Sequence, residues 1–268
     1  MNHPATPITH YDSASFSAKC GTGQTISHNV YCRGRGAPII IIQELPGIGP
    51  ETMRLADEFV EHGFEVILPH LFGPLEKVSI GGNLVRVFCM RKEFSLFEAN
   101  GSSPIVDWLK ALCRDAKAQS QTKGVGVIGM CLTGNFGLAM MVDESVMAPV
   151  LSQPSLPFPF GAKRKAALHI SDADLEIVKE RIEKRGCKVL GLRFTGDPMC
   201  PPERFETLRQ ELGDGFEGIE IDSSTGNPHG NPTMAHSVVT KDLVDEEGHP
   251  TRMALDRVMS FFAERLRS

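Results

Sequence analysis

The chain contains no Cys-x-x-Cys pair, no surplus of basic residues and no long hydrophobic run. Each absence excludes a class of protein. The seven cysteines, at positions 20, 32, 89, 113, 131, 187 and 200, are odd in number and scattered, a poor disulfide framework and a poor zinc site. They fit a reduced, cytoplasmic chain in which most are small buried hydrophobes, with room for one reactive thiol. Lys plus Arg is 28 against 33 for Asp plus Glu, a net charge of −5. The phosphate-neutralising excess of a general nucleic-acid binder is missing, so no nucleic-acid partner is expected. The longest apolar stretch, residues 37–42 with Pro38 inside it, falls far short of the roughly 20 residues of a membrane span, so no membrane partner is expected. Residues 1–17 show no basic segment leading into an apolar core, and no secretory signal is expected there.

What is present is a globular balance. With 268 residues, 41% hydrophobic and 23% charged, the chain is not wholly disordered and suits one large α/β domain over residues 1–268. Residues 1–35 are polar and rich in Gly, Ser and Thr, with room for antiparallel edge strands, one of them around 25–31. From Ala37 the pattern changes. Residues 38–43 form a β-branched run, the mark of a strand buried on both faces. Met53, Ala56 and Phe59/Val60 then recur at helical spacing until Gly63, and residues 64–68 give the next apolar strand, completing a βαβ unit.

Residues 72–101 give no clear pattern. Ser103-Pro104 reads as a helix start, with Ile105, Val106, Leu109, Leu112, Cys113 and Ala116 on the apolar face. Strands are expected at 124–128, 147–151, 166–170, 189–194 and 218–221. Helices are expected at 135–142, around Leu175, Val178 and Ile182, around Phe205, Leu208 and Leu212, and at 252–266. Strands and helices alternate, so the expected architecture is α/β, a mostly parallel central sheet with helices on both faces. Chemistry in such sheets sits at the carboxyl ends of the strands.

Four features occupy those ends. In Gly129-Met130-Cys131-Leu132-Thr133-Gly134 a strand runs into a sharp turn with a nucleophile-capable residue at its tip, the form of a nucleophile elbow. Small residues must flank a strained tip, and Gly129 and Gly134 supply the space. Cys131 would then stand at a helix start, where free N–H groups favour an anion. The alternative is one more core cysteine. The same stretch contains Gly124-x-Gly126-x-x-Gly129, but a dinucleotide fingerprint has its glycines after the strand, and here they lie inside it. Asp197 follows a buried strand on a Gly/Pro turn, placed to orient a histidine or to make a plain Asx turn. His236 lies in the loop before the last helix, with His229 as a rival. Glu44, in Gln43-Glu44-Leu45-Pro46-Gly47, follows the first central strand, in the loop that gives an N–H to the oxyanion hole of such folds. Cys131, Asp197 and His236 occur in the chain order nucleophile, acid, histidine, that of the α/β-hydrolases.

Together these motifs, with Pro69 in the second strand, Ala235-His236-Ser237 and the closing run through Gly248, Ala254, Phe261, Phe262 and Leu266, resemble the dienelactone hydrolase family, a cysteine-nucleophile branch of the α/β-hydrolases. The resemblance covers roughly residues 35–268. It implies an α/β-hydrolase fold and cleavage of a small-molecule carboxylic ester or lactone, with no metal or organic cofactor. It implies Cys131 as nucleophile, His236 as base and then acid, and Asp197 as the residue that holds the imidazole tautomer. Glu44 would contact the resting thiol, and the N–H groups of Leu132 and Leu45 would form the oxyanion hole. Arg86 or Arg91 would bind a substrate carboxylate. Thr133 departs from the family's glycine two residues after the nucleophile, and its branched side chain is expected to reshape the pocket. The long gap between Cys131 and Asp197 and an insertion at 223–233 likewise bear on the substrate. A non-catalytic binding protein with the same fold, for a small carbonyl ligand or a protein partner, is the alternative.

Overall fold

The computed structural model describes residues 4–89 and 103–267. Its strands are β1 (Asp12–Lys19), β2 (Thr25–Gly34), β3 (Ala37–Ile42), β4 (Phe64–His70), β5 (Val125–Met130), β6 (Val146–Ser152), β7 (Val189–Phe194) and β8 (Phe216–Ile221). Between and after them run α1 (Pro50–Glu61), α2 (Ile80–Cys89), α3 (Pro104–Gln119), α4 (Phe136–Met140), α5 (Ala162–Ala166), α6 (Asp172–Arg185), α7 (Pro202–Leu212) and α8 (Pro250–Leu266). The strands form one sheet in the order β1-β2-β4-β3-β5-β6-β7-β8. The β1–β2 and β2–β4 pairs are antiparallel and the rest parallel.

Strand chemistry explains the order. Every residue of β3, β5 and β7 is buried, as runs of Ile and Val covered on both faces require. Along β3 the side chains alternate: Ile39 and Ile41 pack with Phe59, Phe262 and Leu266, whereas Ile40 and Ile42 pack with Trp108, Leu109 and Phe136. Helices α1 and α8 therefore cover one face, and α3, α4, α6 and α7 the other. The polar β1 is mostly exposed and occupies the edge.

Strand order reverses between β3 and β5, because the chain leaves β3 towards β4 and returns to pair β5 on the other side. A crevice opens at the carboxyl ends there, the usual ligand site of open α/β sheets. Glu44 and Leu45 follow β3 and Cys131 follows β5, so the topology alone brings them together.

The segment 166–170 is not a strand. Ala166 ends the short α5 and residues 167–170 continue as irregular chain, with Leu168 and Ile170 buried. The sheet positions beside β6 are already filled by β5 and β7. A buried arginine takes up the Ala167 carbonyl: Arg204 donates to Ala167 O (3.0 Å) and also to Arg164 O (2.9 Å), Pro154 O (2.6 Å) and Pro157 O (2.7 Å). Burial pushes its guanidinium down to about 10. The helix expected at 135–142 is shorter, Phe136–Met140.

Candidate active site

The site is built on backbone strain. Cys131 adopts φ 54°, the left-handed region that side chains with a Cβ avoid, directly between β5 and a 3-10 turn at Cys131–Thr133. The turn is compact because Gly129 lacks a side chain: a Cβ there would stand 2.2 Å from Thr133 O. Gly129→Ala is therefore expected to cost about 3 kcal/mol, the upper range of overpacking against atoms that cannot move aside. Gly81→Ala, in open space on α2, is expected to change stability by no more than about 1 kcal/mol, and to raise it. Urea midpoints of the two variants check this.

Thr133 is a staple. Its buried hydroxyl accepts Met130 N–H (3.1 Å) and lies 3.2 Å from Ile42 O and from Gln43 O. The β-branched residue at this position thus ties the elbow to the end of β3 and faces the strand ends, where the sequence led to an expectation of a reshaped pocket. The next strand end is fixed likewise: the Gln43 carboxamide accepts Leu71 N–H (2.9 Å) and donates to Phe72 O (3.0 Å). Asn83 of α2, fully buried, donates to Leu45 O (3.0 Å) and Pro46 O (3.2 Å) and so holds the loop that carries the Leu45 N–H. Gly47 and Gly73, both at positive φ, let that side chain approach.

Asp197 follows β7 and is buried. Its Oδ1 accepts Met199 N–H at 2.8 Å, and its Oδ2 lies 2.7 Å from Nδ1 of His236. Gly196 fits beneath the 222–233 loop, where a Cβ would meet Thr233 O at 2.4 Å. The imidazole and the Cys131 side chain line the same cavity. Burial pulls the His236 pKa down, but the Asp197 carboxylate and the Cys131 sulfur on its two sides outweigh it and raise the ring to about 10. Cys131 is half-buried, and the His236 side chain keeps 24% exposure.

Cys131, His236 and Glu44 line a cavity of about 520 Å³ with Leu45, Pro46, Ile80, Pro232, Met234, Ala235, Ser237, Lys241 and Asp242. Glu44 is buried, and burial raises its carboxyl above the usual range despite hydrogen bonds from Thr240 Oγ1 (2.7 Å) and Ser237 Oγ (3.0 Å). No hydrogen bond joins Glu44 to Cys131 among the described residues. The N–H of Leu132 opens the 3-10 turn, where no intrahelical acceptor precedes it.

The structure thus gathers Cys131, Asp197, His236, Glu44, Leu45 and Leu132 in one place. It does not bring Arg86 there. Arg86 is exposed on α2 and bonds Asn83 Oδ1 at 3.1 Å, whereas Lys241 lies on the cavity wall. Arg91 lies outside the described residues. His229 packs edge-on against His249, away from the cavity wall. Sequence reasoning passed over Asn83, Ser237, Thr240 and Asp242. For the last three the available signal was a run of hydroxyl and carboxylate residues within six positions after His236. Among the described residues no cluster of three or more His, Cys, Asp or Glu is placed to hold a metal ion. No helix among them is long and apolar enough to cross a membrane.

A mostly parallel eight-stranded sheet, with a strained residue at a strand-to-helix turn, defines a protein of the α/β-hydrolase class. More narrowly, the chain belongs to the dienelactone hydrolase family, whose sequence model matches residues 29–266. It is therefore a member of a hydrolase family. Solved structures share the fold at low identity. A dienelactone hydrolase from Anabaena variabilis has a TM-score of 0.57 at 15% identity, over 96% of this chain and 99% of that one. A dienelactone hydrolase-like promiscuous phosphotriesterase from metagenomic libraries has a TM-score of 0.58 at 13% identity, over 95% and 99%. A cold-adapted esterase from an Arctic intertidal metagenomic library has a TM-score of 0.59 at 13% identity, over 99% of each chain. No curated protein sequence matches the chain.

Proposed function

We propose that this protein hydrolyses a small carboxylic ester or lactone through an acyl-thioester on Cys131. The observation that carries the reading is the imidazole of His236, held at Nδ1 by Asp197 on the wall of the cavity that the strained Cys131 also lines. With the thiol proton already resting on His236, the sulfur attacks the acyl carbon. The oxyanion of the tetrahedral intermediate accepts the N–H groups of Leu132 and Leu45, an interaction worth about 3–4 kcal/mol per donor in comparable sites. The intermediate collapses, His236 protonates the departing alkoxide, and the acyl group remains on sulfur. Water then attacks the thioester while His236 takes its proton. The second tetrahedral intermediate expels the sulfur, and the acid leaves.

The charge arrangement suits both halves. With its proton on His236, the sulfur carries the negative charge that, with Asp197, keeps the ring protonated. Acylation removes that charge and one of the two supports, so the ring in the acyl-enzyme gives up its proton more readily and can act as base towards water.

An NMR pH titration of the resting enzyme follows from this. The His236 ring is expected to hold its proton until the pH approaches about 10, and Asp197→Asn or Cys131→Ala is expected to move the midpoint down. The folded pKa lies above the free-histidine value of 6.5, so the stabilisation from this proton is complete below about 6.5 and is lost as pH rises towards 10. A parent midpoint near 6.5 would contradict the arrangement. Turnover of p-nitrophenyl acetate by the parent, and its absence in Cys131→Ala, tests the function itself. A protein that turns over no ester, and whose Cys131 a small alkylator leaves unlabelled near neutral pH, would instead be a binding protein.

A further inference from the structure

We infer that residues 237–242 form a brace for the base, and that Asp242 and Glu44 are positioning residues acting on His236 through it. The inference rests on the reading of His236 as the catalytic base.

His236 lies on irregular chain, with neither helix nor strand to fix it. A base must nevertheless be held to a fraction of an ångström, since a displacement of about 1 Å can cost on the order of 100-fold in rate. Three sets of bonds supply that rigidity. Asp242 Oδ2 accepts the N–H of His236 (2.8 Å) and of Ser237 (2.9 Å), while Asp242 N–H returns to Ser237 O (3.0 Å). The side chain thus closes a ring of backbone around the histidine's own peptide group.

Glu44, two residues past β3, takes the other side of the segment. Its Oε2 accepts Ser237 Oγ and its Oε1 accepts Thr240 Oγ1, across nearly the whole length of the sequence. Finally, Gln153, just past β6, accepts Val238 N–H at 3.4 Å. The base is therefore referred to the ends of two strands that flank β5, which carries the nucleophile. Both oxygens of Glu44 accept from this segment, and no hydrogen bond joins it to Cys131 among the described residues, which points its role at the imidazole's position and away from the sulfur. The carboxylate acts at a distance through two hydroxyls, so its effect should be reproduced by removing those hydroxyls while Glu44 stays in place.

That reproduction is the test. Asp242→Ala, Ser237→Ala and Thr240→Val would be assayed with p-nitrophenyl acetate beside Asp242→Asn and Thr240→Ser, with circular dichroism and thermal melts as folding controls. Expected for Asp242→Ala, and for Ser237→Ala combined with Thr240→Val, is a kcat lower by about 10–100-fold with KM nearly unchanged. The Nδ1 proton resonance of His236 is expected to broaden. Asp242→Asn keeps an oxygen to accept both N–H groups, and Thr240→Ser keeps the hydroxyl, so each should recover most of the loss.

The brace is overturned if the folded variants keep kcat within about twofold of the parent, or if Asp242→Asn is as impaired as Asp242→Ala. It is also overturned if Glu44→Gln slows alkylation of Cys131 while loss of the two hydroxyls has no effect on kcat. Should Asp242→Ala fail to fold, the Thr240→Val and Thr240→Ser pair decides. Retained turnover in Cys131→Ala is a different result, which removes the catalytic reading and not the brace geometry.

Discussion

Cys131→Ala is expected to lower kcat/KM for an activated ester by about 10⁴-fold or more, about 5 kcal/mol of transition-state stabilisation, with little change in the thermal midpoint. The size follows from the role. A nucleophile that forms the covalent intermediate cannot be replaced by a methyl group, and the step through the thioester is lost. The small stability effect follows from position, since the half-buried sulfur contributes little to the core. Labelling gives an independent view of the same residue. Of Cys20, Cys32, Cys113, Cys131, Cys187 and Cys200, Cys32 and Cys131 are not buried. Burial, then the nearby Glu65, Asp12 and Asp115, push the Cys32 thiol up to about 11, so it competes poorly for a small alkylator near neutral pH. Peptide mapping is expected to find the label on Cys131, with ester turnover lost in step.

His236→Ala is expected to be about as damaging as loss of the nucleophile, because residues that act as a unit fail as a unit. His229→Ala is expected to leave turnover intact. The two histidines are seven residues apart and both lie in polar loops, yet their surroundings differ. His236 has a buried carboxylate on one nitrogen and a cavity before it, whereas His229 sits against the edge of His249 with Asp222 nearby. Asp197→Asn is expected to lie between, with a loss of up to about 10⁴-fold, because the amide can favour the wrong imidazole tautomer. Steady-state kinetics on the three variants would show the order. Equal loss in His229→Ala and His236→Ala would contradict the assignment.

The strands that matter most were legible for a simple reason. β3, β5 and β7 are buried on both faces, so their sequences are nearly unbroken apolar runs, and the candidate site residues follow within one to three positions of each run. Glu44, Cys131 and Asp197 could be read from position alone. Gly126, which could be mistaken for part of a phosphate-binding loop, sits within β5 and makes room for Phe262 of α8.

Local pattern failed where tertiary partners decide. Residues 166–170 have strand chemistry, but the sheet beside β6 was already full, and the Ala167 carbonyl is taken up by Arg204 instead. Arg86 matched a family role loosely by sequence, but α2 turns Ile80 to the cavity and leaves Arg86 outside its wall. The partners of Glu44 were beyond reach for a related reason, as Ser237 and Thr240 are almost two hundred residues away and no local periodicity links them. Thr133 shows the converse. The departure from glycine was visible in the sequence, but its consequence depends on which carbonyls lie within reach of a hydroxyl, and those belong to β3 and the loop after it.

The most direct measurement is capture of the acyl-enzyme. The protein would be mixed with p-nitrophenyl acetate, quenched in acid within the first turnovers, and digested for mass spectrometry. The expected result is an acetyl group on the peptide containing Cys131, accumulating in His236→Ala if acylation persists there and absent from Cys131→Ala. Ester turnover with no acyl group on Cys131, undiminished when that sulfur is removed, would contradict the account.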